Sequence, residues 1–217
     1  MRCCFVRHGE TPWNAERRLQ GHQDIPLNAL GLAQAEAAAR HLAACHAQTP
    51  FAAVVSSDLQ RARQTADTIA TALQLKVQNT PGLRERHYGD FEGKTPAEAA
   101  LFDPAAYEAL VARADLTAAP GRAEPLEAMV GRIESYLAAL ARGFTDQSVI
   151  LVTHGGVLDV LYRRATGRAL TGPRDAPIPN AGLNWLDLSV AGSELRWAMM
   201  AWGETGHLAD ASLDEIL

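Results

Sequence analysis

The sequence predicts an α/β fold: a three-layer α/β/α sandwich with a mostly parallel central sheet and an inserted, mostly helical cap. Three observations carry that prediction. Short apolar runs at Arg2–Val6, Ala52–Ser56 and Ser148–Thr153 lack polar alternation, so they read as strands covered on both faces. Amphipathic stretches follow them, as parallel strands joined by crossovers require. The alternation stops at about 84–125 and then resumes. The 217 residues, 47% of them hydrophobic and 21% charged, suit a single domain over 1–217 that holds this insertion.

The first strand, Arg2–Val6, runs directly into Arg7, His8 and Gly9. An arginine beside a histidine at a strand end suits phosphate. The imidazole can attack phosphorus, and the guanidinium can hold two oxygens in a fork. Gly9 lets the backbone turn sharply. The loop Arg7–Leu27 is long, and long loops in compact domains tend to be functional; it carries Asn14, Gln20, Gly21, His22 and Asp24. Asn28 is placed to cap a helix reaching about His46. After Ala52–Ser56, the cluster Ser56, Ser57 and Asp58 reads as the cap of a helix from Leu59 to about Leu73. Arg61 and Arg63 fall in its first turn, where cations oppose the helix dipole. One of them is expected to face an anion outside the helix.

A short strand at Lys76–Gln78 leads into a charged loop, Leu83–Gly89, with Glu85 at its centre. The alternative for Glu85 is a surface ion pair with Arg84 or Arg86. Gly89–Thr95 looks like a P-loop, but it is one residue short between its glycines and follows no apolar strand, so that reading fails. Thr95 and Pro96 open a helix, Pro104–Ala114 forms another, and Thr117–Pro125 is a loop. Leu126–Arg142 is a long amphipathic helix ended by Gly143. Ser148–Thr153 repeats the layout of the first strand, running into His154, Gly155 and Gly156 and then a helix to about Thr166. Ligands of open α/β sheets sit beyond the carboxyl ends of the strands, so both histidines are expected at one sheet edge. Backbone N–H groups at Gly155 and Gly156 are expected to add anion affinity. Leu183–Val190 and Leu195–Trp202 read as a closing hairpin.

Net charge is -5, which argues against nucleic acid as a partner. No apolar run is long enough to span a membrane. Cys3, Cys4 and Cys45 form no disulfide framework, and a reducing cytoplasm fits them best. Neither cysteine–histidine nor carboxylate spacing marks a metal site.

Taken together, Arg7-His8-Gly9-Glu10-Thr11, Ser56-Ser57-Asp58-Leu59-Gln60-Arg61-Ala62, Glu85 and Thr153-His154-Gly155 resemble the histidine phosphatase superfamily, with its phosphoglycerate-mutase-like fold. The resemblance spans nearly the whole chain, with the motifs in family order, and it selects Arg61 over Arg63. It implies a metal-independent phosphomonoester hydrolase that works on small phosphorylated metabolites through a phosphohistidine. His8 would be the nucleophile and Glu85 the acid, while Arg7, Arg61 and His154 hold the phosphoryl group. Asn14, Gln20, Gly21 and Gly155 would line the substrate site, and no cofactor is implied. Tyr88–Thr95 and Gly206-His207-Leu208 look like the broad-specificity phosphatase branch, although Glu85–Gly89 also occurs in mutases. Gly121–Pro125 departs from the family by lacking a Gly-Glu-Ser run. The alternatives are a cofactor-dependent phosphoglycerate mutase and a non-catalytic module that binds phospho-ligands. The stretch Pro104–Leu116 offers one arginine, Arg113, and is otherwise mostly apolar, which favours varied leaving groups over a glycerate. A homodimer is compatible with this reading.

Overall fold

The computed structural model describes residues 1–192 and 194–209. The stretch 210–217, which the predicted domain includes, lies outside the described residues. One sheet contains β1 (Arg2–Arg7), β2 (Phe51–Ser57), β3 (Val77–Thr80), β4 (Ser148–Thr153), β5 (Leu183–Ala191) and β6 (Glu194–Glu204). Their order is β3-β2-β4-β1-β5-β6. β1 and β2 each pair in parallel with β4, and β2 pairs in parallel with β3. β5 is antiparallel to both of its neighbours. The sheet is therefore mixed and mostly parallel, as predicted.

The helices are α1 (Pro12–Ala15), α2 (Ala29–Gln48), α3 (Gln60–Leu73), α4 (Pro96–Phe102), α5 (Pro104–Ala112), α6 (Leu126–Gly143) and α7 (Gly155–Thr166). Successive strand side chains point to opposite faces, and this sorts the core into two layers. Cys3, Phe5, Val149 and Leu151 pack with Met129, Ile133 and Leu137 of α6 and Val157 of α7. Cys4, Val6, Ile150 and Val152 pack with Leu42 of α2 and Ile69 of α3. Burying a side chain of the size of Phe5 or Ile150 contributes about 1.5–3 kcal/mol. A one-residue slip of β1 would move all four of its apolar side chains to the wrong layer. The segment 84–125 buries a small cluster of its own, Phe91, Ala99, Leu110 and Ala123. No described helix is long and apolar enough to cross a membrane.

Three local details depart from the sequence reading. α3 is not capped by Ser56, Ser57 or Asp58. Its first N–H, on Gln60, donates to Asp24 Oδ1 from the distant loop, and Asp58 instead pairs with Arg84. α5 stops at Ala112 because Arg113 turns left-handed at φ 49°. The loop Arg7–Leu27 contains α1, which Thr11 caps in a reciprocal box with Asn14 and which has proline in its first turn.

The topology then decides where the site lies. β1, β4 and β2 are parallel neighbours, so their carboxyl ends share one edge. Arg7 is in register with Thr153, and Ser56 with Val152. Gly9 keeps this edge tight, since a Cβ there would sit 2.3 Å from the Gly31 carbonyl oxygen at the start of α2.

Candidate active site

His8 follows β1, His154 follows β4, and their ring centroids are 5.1 Å apart. His8 Nδ1 lies 2.7 Å from the carbonyl oxygen of Gly9. A carbonyl only accepts, so Nδ1 carries the hydrogen and Nε2 keeps its lone pair. Around the ring the backbone is fixed: His8 N donates to Thr153 O, Gly9 N to Thr65 Oγ1, and Asn180 Nδ2 to His8 O. His154 is set differently. Its Nε2 is 2.8 Å from Ser57 Oγ, a hydroxyl that can donate to the ring or accept from it. His154 Nδ1 is buried and has no partner among the described residues. Burial lowers the pKa of both imidazoles well below the usual value, and the Arg61 and Arg7 charges lower it further, so both rings are neutral at pH 7.

Both guanidiniums are held by carbonyls. Arg61 is 1% exposed and donates to Gln23 O and Gly21 O, each at 2.9 Å. Arg7 donates to Ile178 O at 2.5 Å. The Nε atoms of both are buried and unpartnered. Burial, and then the nearby Arg174 charge, bring the Arg7 pKa down to about 10, which leaves it charged at neutral pH. Buried cations without matched anions cost several kcal/mol each. Such a place binds an anion strongly.

Glu85 is 8% exposed and reaches the site from the loop after β3. Its Oε1 accepts from Arg86 N at 2.8 Å and its Oε2 from Gly156 N at 2.9 Å. The N-terminus of α7 thus orients the carboxylate, so the Gly156 N–H expected to bind the ligand serves Glu85 instead. Glycine at 156 leaves room for this placement of the carboxylate, because a Cβ there would lie 2.0 Å from Glu85 Oε1 and push it aside. Glu92 fixes the two loops relative to each other. Its carboxylate accepts from His22 N, Gln23 Nε2 and Tyr88 N at 2.9–3.0 Å. It thereby ties the loop that holds Arg61 to the loop that carries Glu85. His22 Nε2 adds a contact to Glu85 O at 2.8 Å.

The sequence profile of the histidine phosphatase superfamily (branch 1) matches residues 3–201. The chain belongs to the histidine phosphatase superfamily. It is accordingly a phosphatase of that type. It is 36% identical to phosphoglycerate mutase-like protein 4 of Arabidopsis thaliana, across 94% of this chain and 86% of that one. It is 37% identical to a metal-independent phosphoserine phosphatase of the same plant, across 94% and 82%. The structure of a mycobacterial glucosyl-3-phosphoglycerate phosphatase superimposes with a TM-score of 0.79 at 31% identity, across 94% of this chain and 99% of that one.

In this histidine phosphatase a cleft of about 110 Å³ brings together Arg7, His8, Arg61 and Glu85, with Asn14, Gln20 and Gly21 along one side. Larger grooves exist, but one of about 470 Å³ lies at the opposite strand ends, beside Arg2 and Asp187. The buried histidine and arginine donors are not there. Gln20 is 7% exposed and its Oε1 is unpartnered, whereas the Asn14 side chain also serves the α1 cap. Gly155 lies beneath the Arg7 guanidinium. Arg63 is exposed. His87 accepts from Gly89 N, and His207 contacts Ala181 O, away from the cleft. Among the described residues, no group of three or more His, Cys, Asp or Glu side chains is placed to hold a metal ion. Sequence reasoning missed Glu92 and Asn180 as supports, and Arg174 beside Arg7. Glu92 is spaced seven residues from Glu85 in a rejected P-loop lookalike, and Arg174 stands in an irregular loop with no periodicity to flag it.

Proposed function

We propose that the protein hydrolyses phosphomonoesters of small metabolites through a phosphohistidine on His8. The observation that carries this is a buried His8 imidazole whose Nδ1 is tied to Gly9 O, in one cleft with Arg7 and Arg61 and 5.1 Å from the His154 ring, where Arg7 Nε, Arg61 Nε and His154 Nδ1 are buried without partners among the described residues. His8 Nε2 forms the bond to phosphorus as the ester P–O bond breaks, and Glu85 passes a proton to the leaving oxygen. Water then attacks the phosphohistidine, Glu85 takes its proton, and orthophosphate leaves with the histidine restored. Arg7, Arg61 and His154 bind the equatorial oxygens, where phosphoryl transfer concentrates charge, and supply the stabilisation a metal gives elsewhere. Gln20, Gly21, Asn14 and Gly155 line the substrate side, and the segment 84–125 acts as a cap over it. The reducing cytoplasm suits the free thiols of Cys3, Cys4 and Cys45. The open edge of β6 leaves room for a homodimer.

A binding module without turnover would have no use for an acid oriented by two backbone amides. A mutase would have to retain its dephosphorylated intermediate and shield the phosphohistidine from water. The deciding experiment supplies 3-phosphoglycerate with catalytic 2,3-bisphosphoglycerate and follows both orthophosphate and 2-phosphoglycerate. Phosphate release is expected to outpace isomerisation. The reverse order would make the protein a mutase, and the absence of both, on this ester and on p-nitrophenyl phosphate, would make it a binder.

A further inference from the structure

Glu85 stands in a stretch, residues 84–88, that belongs to no helix or strand, so its place depends on groups reaching in from elsewhere. The carbonyl of Arg84 accepts from Arg132 of α6 at 3.0 Å, and that of His87 accepts from Glu124 N at 2.9 Å. The carbonyl of Glu85 itself accepts from the His22 ring at 2.8 Å. A carbonyl only accepts, so His22 carries its hydrogen on Nε2. Burial lowers the pKa of this half-buried ring below its usual value, so at pH 7 the ring is neutral and this N–H is its single donor.

His22 is also tied down at its own backbone. Its N–H donates to Glu92 Oε1 at 2.9 Å. Gly21, at φ 53°, lets that carboxylate come close, because a Cβ there would collide with it. The His87 ring meets the His22 ring edge-on, with centroids 5.1 Å apart. The carbonyls on either side of His22, Gly21 O and Gln23 O, hold Arg61. His22 itself stands outside the cleft wall. One residue thus joins the loop around Arg61 to the backbone of Glu85, and of those two side chains it is Glu85 whose own residue the ring touches.

We propose that His22 is a positioning residue for proton transfer: its Nε2–H fixes the backbone of Glu85 so that the carboxylate reaches the leaving oxygen. This rests on the phosphatase reading for the role of Glu85. The test compares kcat/KM, which reports the steps up to release of the alcohol, on β-glycerophosphate and p-nitrophenyl phosphate. An alkyl alkoxide leaves poorly without a proton, whereas nitrophenolate leaves with little help. Glu85→Gln sets the reference and should harm the alkyl ester far more than the aryl one. His22→Phe keeps a ring but removes the donor. It is expected to lower kcat/KM about ten- to a hundred-fold on β-glycerophosphate, as displacing a catalytic group does, and less than about threefold on p-nitrophenyl phosphate. Inhibition by orthophosphate should stay near wild type, because the carbonyls that hold Arg61 are untouched. His22→Gln, whose amide nitrogen can stand where the imidazole Nε2 stood, should restore the alkyl ester. His22→Asn, whose amide nitrogen stands at the Nδ1 position, should not. The glutamine and asparagine pair gives the same contrast without an apolar replacement. No loss on the alkyl ester, an equal loss on both esters, weaker inhibition by orthophosphate, or equal activity of the glutamine and asparagine variants would each overturn the proposal. The phosphatase reading would still stand if Glu85→Gln kept its dependence on the ester. A Glu85→Gln protein that treats both esters alike would instead remove Glu85 as the acid, and this proposal with it.

Discussion

His8 and His154 stand on neighbouring strands, yet their partners select different ring nitrogens. Gly9 O holds the Nδ1 hydrogen of His8 and leaves Nε2 with its lone pair, while Ser57 contacts Nε2 of His154 and leaves Nδ1 without a partner among the described residues. The rings look alike in the sequence, and only the hydrogen-bond partners separate the proposed nucleophile from its proposed helper. The two arginines of the α3 first turn separate by burial. Arg61 is enclosed among loop carbonyls, whereas Arg63 points to solvent. Arg61→Ala should lower kcat/KM on p-nitrophenyl phosphate and weaken inhibition by orthophosphate by about ten- to a hundred-fold, the worth of a charge-assisted hydrogen bond. Arg63→Ala, like other exposed substitutions, should shift stability by no more than about 0.5 kcal/mol and leave both constants near wild type. The opposite pattern in the same two assays would place the phosphate half a helical turn away.

At the scale of elements, the site is held by contacts between segments far apart in sequence. Asp24 caps α3, Gly156 at the head of α7 orients Glu85, and Glu92 joins the two loops that carry Arg61's carbonyl partners and Glu85. Glu92→Ala should release both loops together. Displacing catalytic groups by about 1 Å can cost on the order of a hundred-fold, so kcat/KM is expected to fall by about that much, with kcat down and KM up. Glu92→Gln retains one acceptor oxygen and should recover part of the loss. A drop in melting temperature with unchanged kinetics would make Glu92 a purely structural residue. These bonds also explain what the sequence could reveal. The strand-then-histidine layout is local, so β1, β4 and the placing of His8 and His154 at one sheet edge were legible from apolar runs, while their roles came from the resemblance. Helix starts set by a side-chain cap were legible too, at Asn28 and at Thr95 with Pro96 behind it. The cap of α3 was misread because its acceptor, Asp24, lies 36 residues away from Gln60. Arg174 was invisible because its place depends on Arg163 gripping loop carbonyls, which leaves no periodic pattern.

Across the whole molecule, a sheet covered on both faces places a compact set of uncharged imidazoles and charged guanidiniums at one edge, and this has a measurable effect on stability. The pKa values of His8 and His154 are depressed in the folded state by burial and neighbouring cations, while in the unfolded chain they lie near 6.5. The unfolded state therefore binds more protons below pH 6.5. Their contribution is complete above that pH and is lost as pH falls, by up to about 1.4 kcal/mol per pH unit for each ring. Urea unfolding at pH 7.5 and 5.5 should show this loss, and His154→Gln should reduce its slope. A slope unaffected by that substitution would mean that His154 is not held neutral. In the proposed reaction one phosphoryl group passes through His8. Mixing the protein with p-nitrophenyl phosphate, quenching in alkali within the first turnovers, and locating the added phosphoryl group by peptide mass spectrometry tests this. One acid-labile phosphoryl group is expected on the peptide containing His8, and none in His8→Ala protein. Hydrolysis without any labelled peptide, or a label carried by His154, would contradict it.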